Sequence, residues 1–268
     1  METVDFTNQD FCHYLYAVVD LTAAGSELEQ PELSLVSYRD IACVLTTVPT
    51  SEYCKDVPSN PSEQLEWVAP RVMKHHQVLM EMLTRTTIVP FTFGTLCAST
   101  EEVQSMLATR YERLRGLLEQ LRGKEEWIVS VYIDPANLVQ HLEANQQQIQ
   151  ELDSLIAQKN GGEAYLLRKK KLKITDTLQK NVLDEIHDEC HRRLRQISNS
   201  VFETRCGSPH ADSVQVLSAA VLSPSTNFEL LERTTREIET RYFQYSASVC
   251  LSGPWPAYST VSTMLANT

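Results

Sequence analysis

No run of the chain approaches the roughly 18 continuous apolar residues of a membrane-spanning helix. The acidic opening METVDFTNQDFCHYLYAVVD also has no apolar core of signal-peptide length. A cytosolic protein is expected, and any contact with a hydrophobic surface must come from folded structure. Glycine is scarce, at 8 residues in 268, which excludes a flexible low-complexity chain. Positive charge is short too: 24 Lys and Arg against 35 Asp and Glu leave a net charge of −11. Phosphate neutralisation needs clustered cations, so a general nucleic-acid binder is excluded. The cysteines, Cys12, Cys43, Cys54, Cys97, Cys190, Cys206 and Cys250, are odd in number and contain no C-x-x-C pair. They read as reduced thiols in a cytoplasm. There is no Walker A loop, G-x-S-x-G elbow or G-x-G-x-x-G turn. Isolated Ser, His and Asp residues nominate no reaction, so neither a catalytic residue nor a cofactor is expected.

What is present reads as a folded α+β chain long enough for two domains, expected at 1–135 and 136–268. Residues 12–20 are apolar on both alternating faces, as in a central strand covered on both sides. Residues 33–37 and 41–47 flank Tyr38, Arg39 and Asp40 as a hairpin. Three prolines make 49–61 a loop. Asn60 or Ser62 then caps a helix carrying Leu65, Val68, Val72, His76, Leu79, Met82 and Leu83. In the adjacent pair His75-His76, one ring is expected to pack and the other to face solvent. Residues 86–98, TTIVPFTFGTLCA, predict a buried strand bent at Pro90 and Gly94. Ser99 to Glu102 opens a further helix with a capping box, Gly123 stops it, and 127–133 is a strand. Such alternation predicts helices covering one face of a mixed sheet.

The character changes after Ala136. Apolar residues at near-helical spacing run to Ile156, and after Gly161-Gly162 they continue from Leu167 to Val201. At about 1.5 Å per residue the second helix reaches roughly 60 Å. A helical hairpin turning at the glycine pair is predicted. A turn at 206–212, a strand at 213–223, a helix through Phe228, Leu231 and Ile238, and a strand at 243–252 complete a β-α-β tail.

Two constellations carry chemical character. His187 and His191 lie at i and i+4 with Cys190 beside them, a spacing that can bind zinc. Asp188 stands where a metalloprotease helix has Glu, and Cys190 stands where the inverted motif needs Glu. The stretch therefore reads as helix surface with Cys190 in the seam; a metal-dependent enzyme built on His187 and His191 is the remote alternative. Arg168, Lys169, Lys170, Lys171 and Lys173 form the strongest basic run. It is either a solvated helix face or a binding site for an acidic partner.

Several stretches together resemble the GvpF/GvpL family of gas vesicle proteins. They are YLYAVVD, HHQVLMEML followed by IVPFTFGTLCASTEEV, GGEAYLLRKKK, VLSAAVLSP and SGPWPAYS, in one order along nearly the whole chain. The motif residues are Pro90, Phe91, Phe93 and Gly94, then Gly253, Pro254, Trp255, Pro256 and Tyr258. Thr92 stands where an Arg is common in the family, and Thr260-Val261 follows Tyr258-Ser259 where an aromatic is common. The resemblance implies a modified ferredoxin-like N-terminal domain with a mixed sheet, followed by a helix-rich C-terminal domain. It also implies a nonenzymatic, cytoplasmic accessory protein that associates with the principal shell protein GvpA and other vesicle proteins during early assembly, without nucleic acid or membrane. A minor component retained in the vesicle wall is the alternative.

Overall fold

The computed structural model describes residues 10–24, 32–55, 60–204 and 213–266. The turn expected at 206–212, with Cys206, and the middle of the loop expected at 49–61 lie outside these. Two units form: Met1–Glu125 together with Trp255–Thr268, and Glu126–Pro254. The division thus falls at 125/126 and 254/255, where 135/136 was expected.

In the first unit, β1 (Phe11–Asp20) is flanked on both edges. Tyr14 to Asp20 are all buried, and successive strand side chains point to opposite faces, so both faces are covered. After α1 (Leu21–Ala24), β2 (Ser34–Tyr38) and β3 (Ile41–Pro49) form the expected hairpin. Its tight connection puts Arg39 at φ 53°. β3 pairs antiparallel with β1 from Phe11↔Pro49 to Asp20↔Ile41, with a bulge between Leu15 and Ala17. A π-helical turn, Ser51–Lys55, occupies part of the expected loop.

The helix α2 (Pro61–Leu83) opens at Asn60, whose side chain accepts from the Ser62 N–H at 3.1 Å. Its buried residues His75, Val78, Leu79 and Met82 lie in its second half, and Val78, Leu79 and Met82 join one apolar cluster with Tyr14, Tyr16, Val19 and Val44. The residues before His75 leave Leu65 at 70% and Met73 at 72% exposure. The expected core stripe is therefore buried over its C-terminal half alone. Next come β4 (Ile88–Pro90) and β5 (Leu96–Cys97), both antiparallel to β1. The expected bent strand is thus two short strands joined by a turn. Of the expected capping box, Ser99 Oγ accepts from the Glu102 N–H at 3.3 Å, but the Glu102 carboxylate reaches one residue past the cap and accepts from the Ala98 N–H. The single helix expected there is broken at Arg110 into α3 (Thr100–Thr109) and α4 (Tyr111–Leu121).

The sheet order is β2-β3-β1-β4, and its recorded pairings are antiparallel. This corrects the expected mixed sheet. β3 and β4 run the same way, connected through α2, but β1 lies between them, so the crossover creates no parallel pair.

The second unit is built on β6 (Lys124–Ile133), which joins a sheet of order β7-β8-β6-β9. That pairing explains why the strand at 127–133 falls in this unit. Asp134 caps α5 (Pro135–Asn145), accepting from the Ala136 and Asn137 N–H groups. α6 (Gln147–Gln158) follows a break at Gln146, and α7 (Gly161–Ile197) runs back along both. The chain turns at Lys159 and Asn160, and the glycine pair begins the long helix. α7 ends at Ile197, earlier than expected, because β7 (Ser200–Glu203) pairs antiparallel with β8 (Val214–Pro224). Ser198 Oγ secures the junction, donating to the Leu222 carbonyl and accepting from the Ser200 N–H. α8 (Phe228–Arg241) leads to a 3-10 turn, Phe243–Tyr245, and only then to β9 (Ser248–Trp255). Phe243, expected to start that strand, is 78% exposed. The core of the unit joins Val129, Val131 and Ile133 of β6 to Leu138, Ile149, Ile186 and Leu231. α9 (Tyr258–Ala266) belongs to the first unit.

Candidate functional site

The two motif stretches meet at His75, within the first unit. After Pro90 the Phe91 N–H donates to the Tyr16 carbonyl at 2.9 Å, and the Leu15 N–H donates to the Thr95 carbonyl at 2.9 Å. Between these bonds, Thr95 N–H closes a four-residue turn on the Thr92 carbonyl at 3.2 Å, with Gly94 at φ 82°. A type II turn needs a positive φ at that position, which is why glycine stands there. The Gly94 N–H donates to Tyr14 Oη at 3.2 Å, and Phe93 packs edge-on to the rings of Tyr14 and His75. Phe91 and Phe93 are half-buried.

His75, on α2, is 2% exposed. Its Nδ1 lies 2.9 Å from Tyr14 Oη and its Nε2 lies 3.1 Å from Tyr258 Oη. Tyr16 and Tyr258 both stack on the imidazole. With the proton on Nε2, Gly94 N–H donates to Tyr14, Tyr14 O–H donates to Nδ1, and Nε2–H donates to Tyr258. An imidazolium would donate from both nitrogens and leave the Tyr14 hydroxyl proton without its acceptor. Burial pushes His75 below the usual histidine range, opposed by hydrogen bonding to the Phe91 backbone. Burial also raises Tyr14 well above the usual phenol value and pushes Tyr16 and Tyr258 up to about 12. All the groups are held neutral. This is a positioning network linking β1, α2, the turn after β4 and the C-terminal segment.

Pro256 is buried, and the Trp255 ring lies 5.2 Å from that of His76. Gly253 serves the second unit instead: at φ 143°, an added Cβ would lie 2.9 Å from Trp127 Cε3 and 3.0 Å from the Glu126 carbonyl oxygen. The Gly253–Pro254 peptide is cis. Of the motif residues, the structure brings Phe93, Gly94 and Tyr258 together. His75, which joins them, is absent from the sequence-derived set; its signal is the His75-His76 pair inside HHQVLMEML.

The basic run lies on α7. Arg168, Lys169, Lys170 and Lys173 are exposed, whereas Lys171 pairs with Glu143 at 2.8 Å and Asp153 at 2.9 Å. Those two carboxylates hold its pKa above the ordinary lysine value. Farther along, His187 and His191 stack at 6.2 Å, and His187 reaches Asp188 at 3.1 Å and Glu203 at 3.2 Å. Cys190 is fully buried, and burial pushes its thiol up to about 12 against the lowering effect of Arg193. Among the described residues, no group of three or more His, Cys, Asp or Glu is placed to hold a metal. No helix among them is long and apolar enough to cross a membrane.

The family model described as gas vesicle synthesis protein GvpL/GvpF matches residues 12–262. The chain is 27% identical to gas vesicle protein L of a Streptomyces species over 263 residues, covering 93% of this chain and 92% of that protein. Its fold is similar to crystal structures of GvpF from an Anabaena species, with a TM-score of 0.69 at 16% identity, and from Microcystis aeruginosa, with a TM-score of 0.63 at 16% identity. Each comparison covers 93% of this chain and 98% of the solved one. The motifs joined at His75 are thus part of a likeness that runs through both units, and the chain belongs to the GvpF/GvpL family of gas vesicle proteins.

Proposed function

We propose that the chain is a nonenzymatic gas vesicle assembly protein that binds the shell protein GvpA and other vesicle proteins while a vesicle nucleates and grows in the cytoplasm. The observation that carries this reading is the family match across residues 12–262. The first unit, with β3 and β4 on either side of β1 and α2 between them in sequence, is read as the modified ferredoxin-like module. Its α2 supplies a surface suited to the task. Leu65, Val72 and Met73 are exposed on the stretch of the helix that precedes its first buried residue, His75. A small apolar shell protein aggregates unless its surface is covered until it enters the wall, and an exposed apolar helix face can cover it.

Co-expression tests this. The shell protein is expected to stay soluble with this chain and to precipitate without it, and Leu65→Asp with Met73→Asp is expected to abolish the protection while leaving the fold intact. Equal precipitation with and without the chain would refute the reading. Detection of the chain on purified vesicles after stringent washing would assign it instead to the wall.

A further inference from the structure

From the α7 surface we infer that Lys169, Lys170 and Lys173, with Tyr165, Leu166 and Leu172, form a docking face for an acidic amphipathic helix of a partner protein, with Arg168 exposed at its flank. Lys171 sets the geometry. Its ion pairs to Glu143 on α5 and Asp153 on α6 fix which side of α7 faces the other helices. The opposite side carries two rows at i, i+4 and i+7: Tyr165, Lys169 and Leu172, then Leu166, Lys170 and Lys173. Tyr165, Leu166 and Leu172 are 60%, 65% and 61% exposed. Among the described residues no carboxylate pairs with Arg168, Lys169, Lys170 or Lys173, and the Lys169 ammonium sits 5.9 Å from the Tyr165 ring centroid. The face therefore offers apolar contacts interleaved with unneutralised cations over about two helical turns.

Charge complementarity selects the occupant. In a chain of net charge −11 this short cationic segment calls for a partner that is acidic where it touches and apolar between the acids. A second copy docked about a two-fold axis would set these cations against themselves. An extended anionic surface, whether lipid or nucleic acid, would also meet Asp176 and Asp184, both exposed farther along α7. A discrete helix of about two turns meets Asp176 only at its end and does not reach Asp184. The reading of the chain as an assembly protein supplies only the identity of that partner, so the two ideas fail separately.

The test uses the full chain and a fluorescein-labelled synthetic peptide with Leu at i, i+4 and i+7 flanked by Glu, followed by anisotropy at near-physiological salt. Saturable binding is expected, weakened about tenfold by Lys169→Glu with Lys170→Glu, and similarly by Leu166→Ser with Leu172→Ser. Both variants change exposed side chains, and unchanged thermal unfolding confirms their fold. No saturable binding, binding undiminished in either variant, or equal binding of a scrambled peptide of the same composition would overturn the proposal. So would tighter association with phosphatidylserine vesicles or with poly-uridine RNA. Loss of peptide binding alongside a shell protein still kept soluble would sink the α7 face alone.

Discussion

At the scale of single residues, His75 and Asp20 are two buried titratable groups that bind distant parts of the first unit together. Removing the imidazole with His75→Ala leaves the Tyr14 hydroxyl proton without its acceptor and Tyr258 without its His75 bond, around a cavity. A loss of about 2–4 kcal/mol is expected in urea unfolding, whereas Tyr258→Phe deletes one hydrogen bond and should cost about 1 kcal/mol. pH dependence separates the two buried groups. The unfolded His75 takes a proton near its ordinary value of 6.5, and the folded one only at lower pH. The unfolded state then binds more protons, so stability falls as pH drops below about 6.5, and His75→Gln should flatten that decline. Asp20 acts lower. Burial alone would raise its carboxyl, but hydrogen bonds from Thr22 and Arg115 outweigh burial and hold it at about 2, from an ordinary 3.8. Its contribution, about 2 kcal/mol, is present above pH 4 and lost between about 4 and 2. An Asp20→Asn variant that retained the full acid transition would contradict this assignment.

At the scale of elements, Lys171 shows how one member of a charge run differs from its neighbours. It links α7 to α5 and α6, and its side chain is 20% exposed. Lys171→Met should lower stability by about 1 kcal/mol, while Lys169→Glu with Lys170→Glu should stay within about 0.5 kcal/mol, as denaturant midpoints would show. The sequence carried no such distinction, because the partners Glu143 and Asp153 lie 28 and 18 residues earlier. Local signals were legible: the Asn60 cap, the Ser99 cap and the hairpin around Arg39 each rest on neighbouring residues. Misjudged boundaries share a cause as well. Val201 sits four residues after Ile197 and extends the helical spacing, yet it belongs to β7 because β8 offers it a ladder. The breaks at Arg110 and Gln146 carry no glycine or proline, so periodicity ran through them. His75 was visible as one of a pair, but its partners Tyr14 and Tyr258 are 61 and 183 residues away.

At the scale of the whole molecule, the first unit is discontinuous in sequence, and this has a consequence for how the protein is completed. Its central strand, α2 and the turn at Gly94 are in place by residue 125, but Tyr258 and α9 follow all of the second unit. Until those residues are available, His75 Nε2 lacks its hydroxyl partner and His76 lacks the Trp255 ring. Arg113 likewise lacks the Met264 and Leu265 carbonyls to which it donates. A chain ending at Pro254 keeps every residue of the second unit and removes one wall of the first. Native-state hydrogen exchange should then show faster exchange in β1 and α2, by about tenfold or more, with β8 unchanged. Uniform acceleration in both units would mean that the closing segment stabilises the chain generally, and protection retained in α2 would mean that His75 is held without Tyr258. The expected pattern makes the C-terminal segment the element that closes the first unit, and it explains why two motifs so far apart in sequence mark the same family.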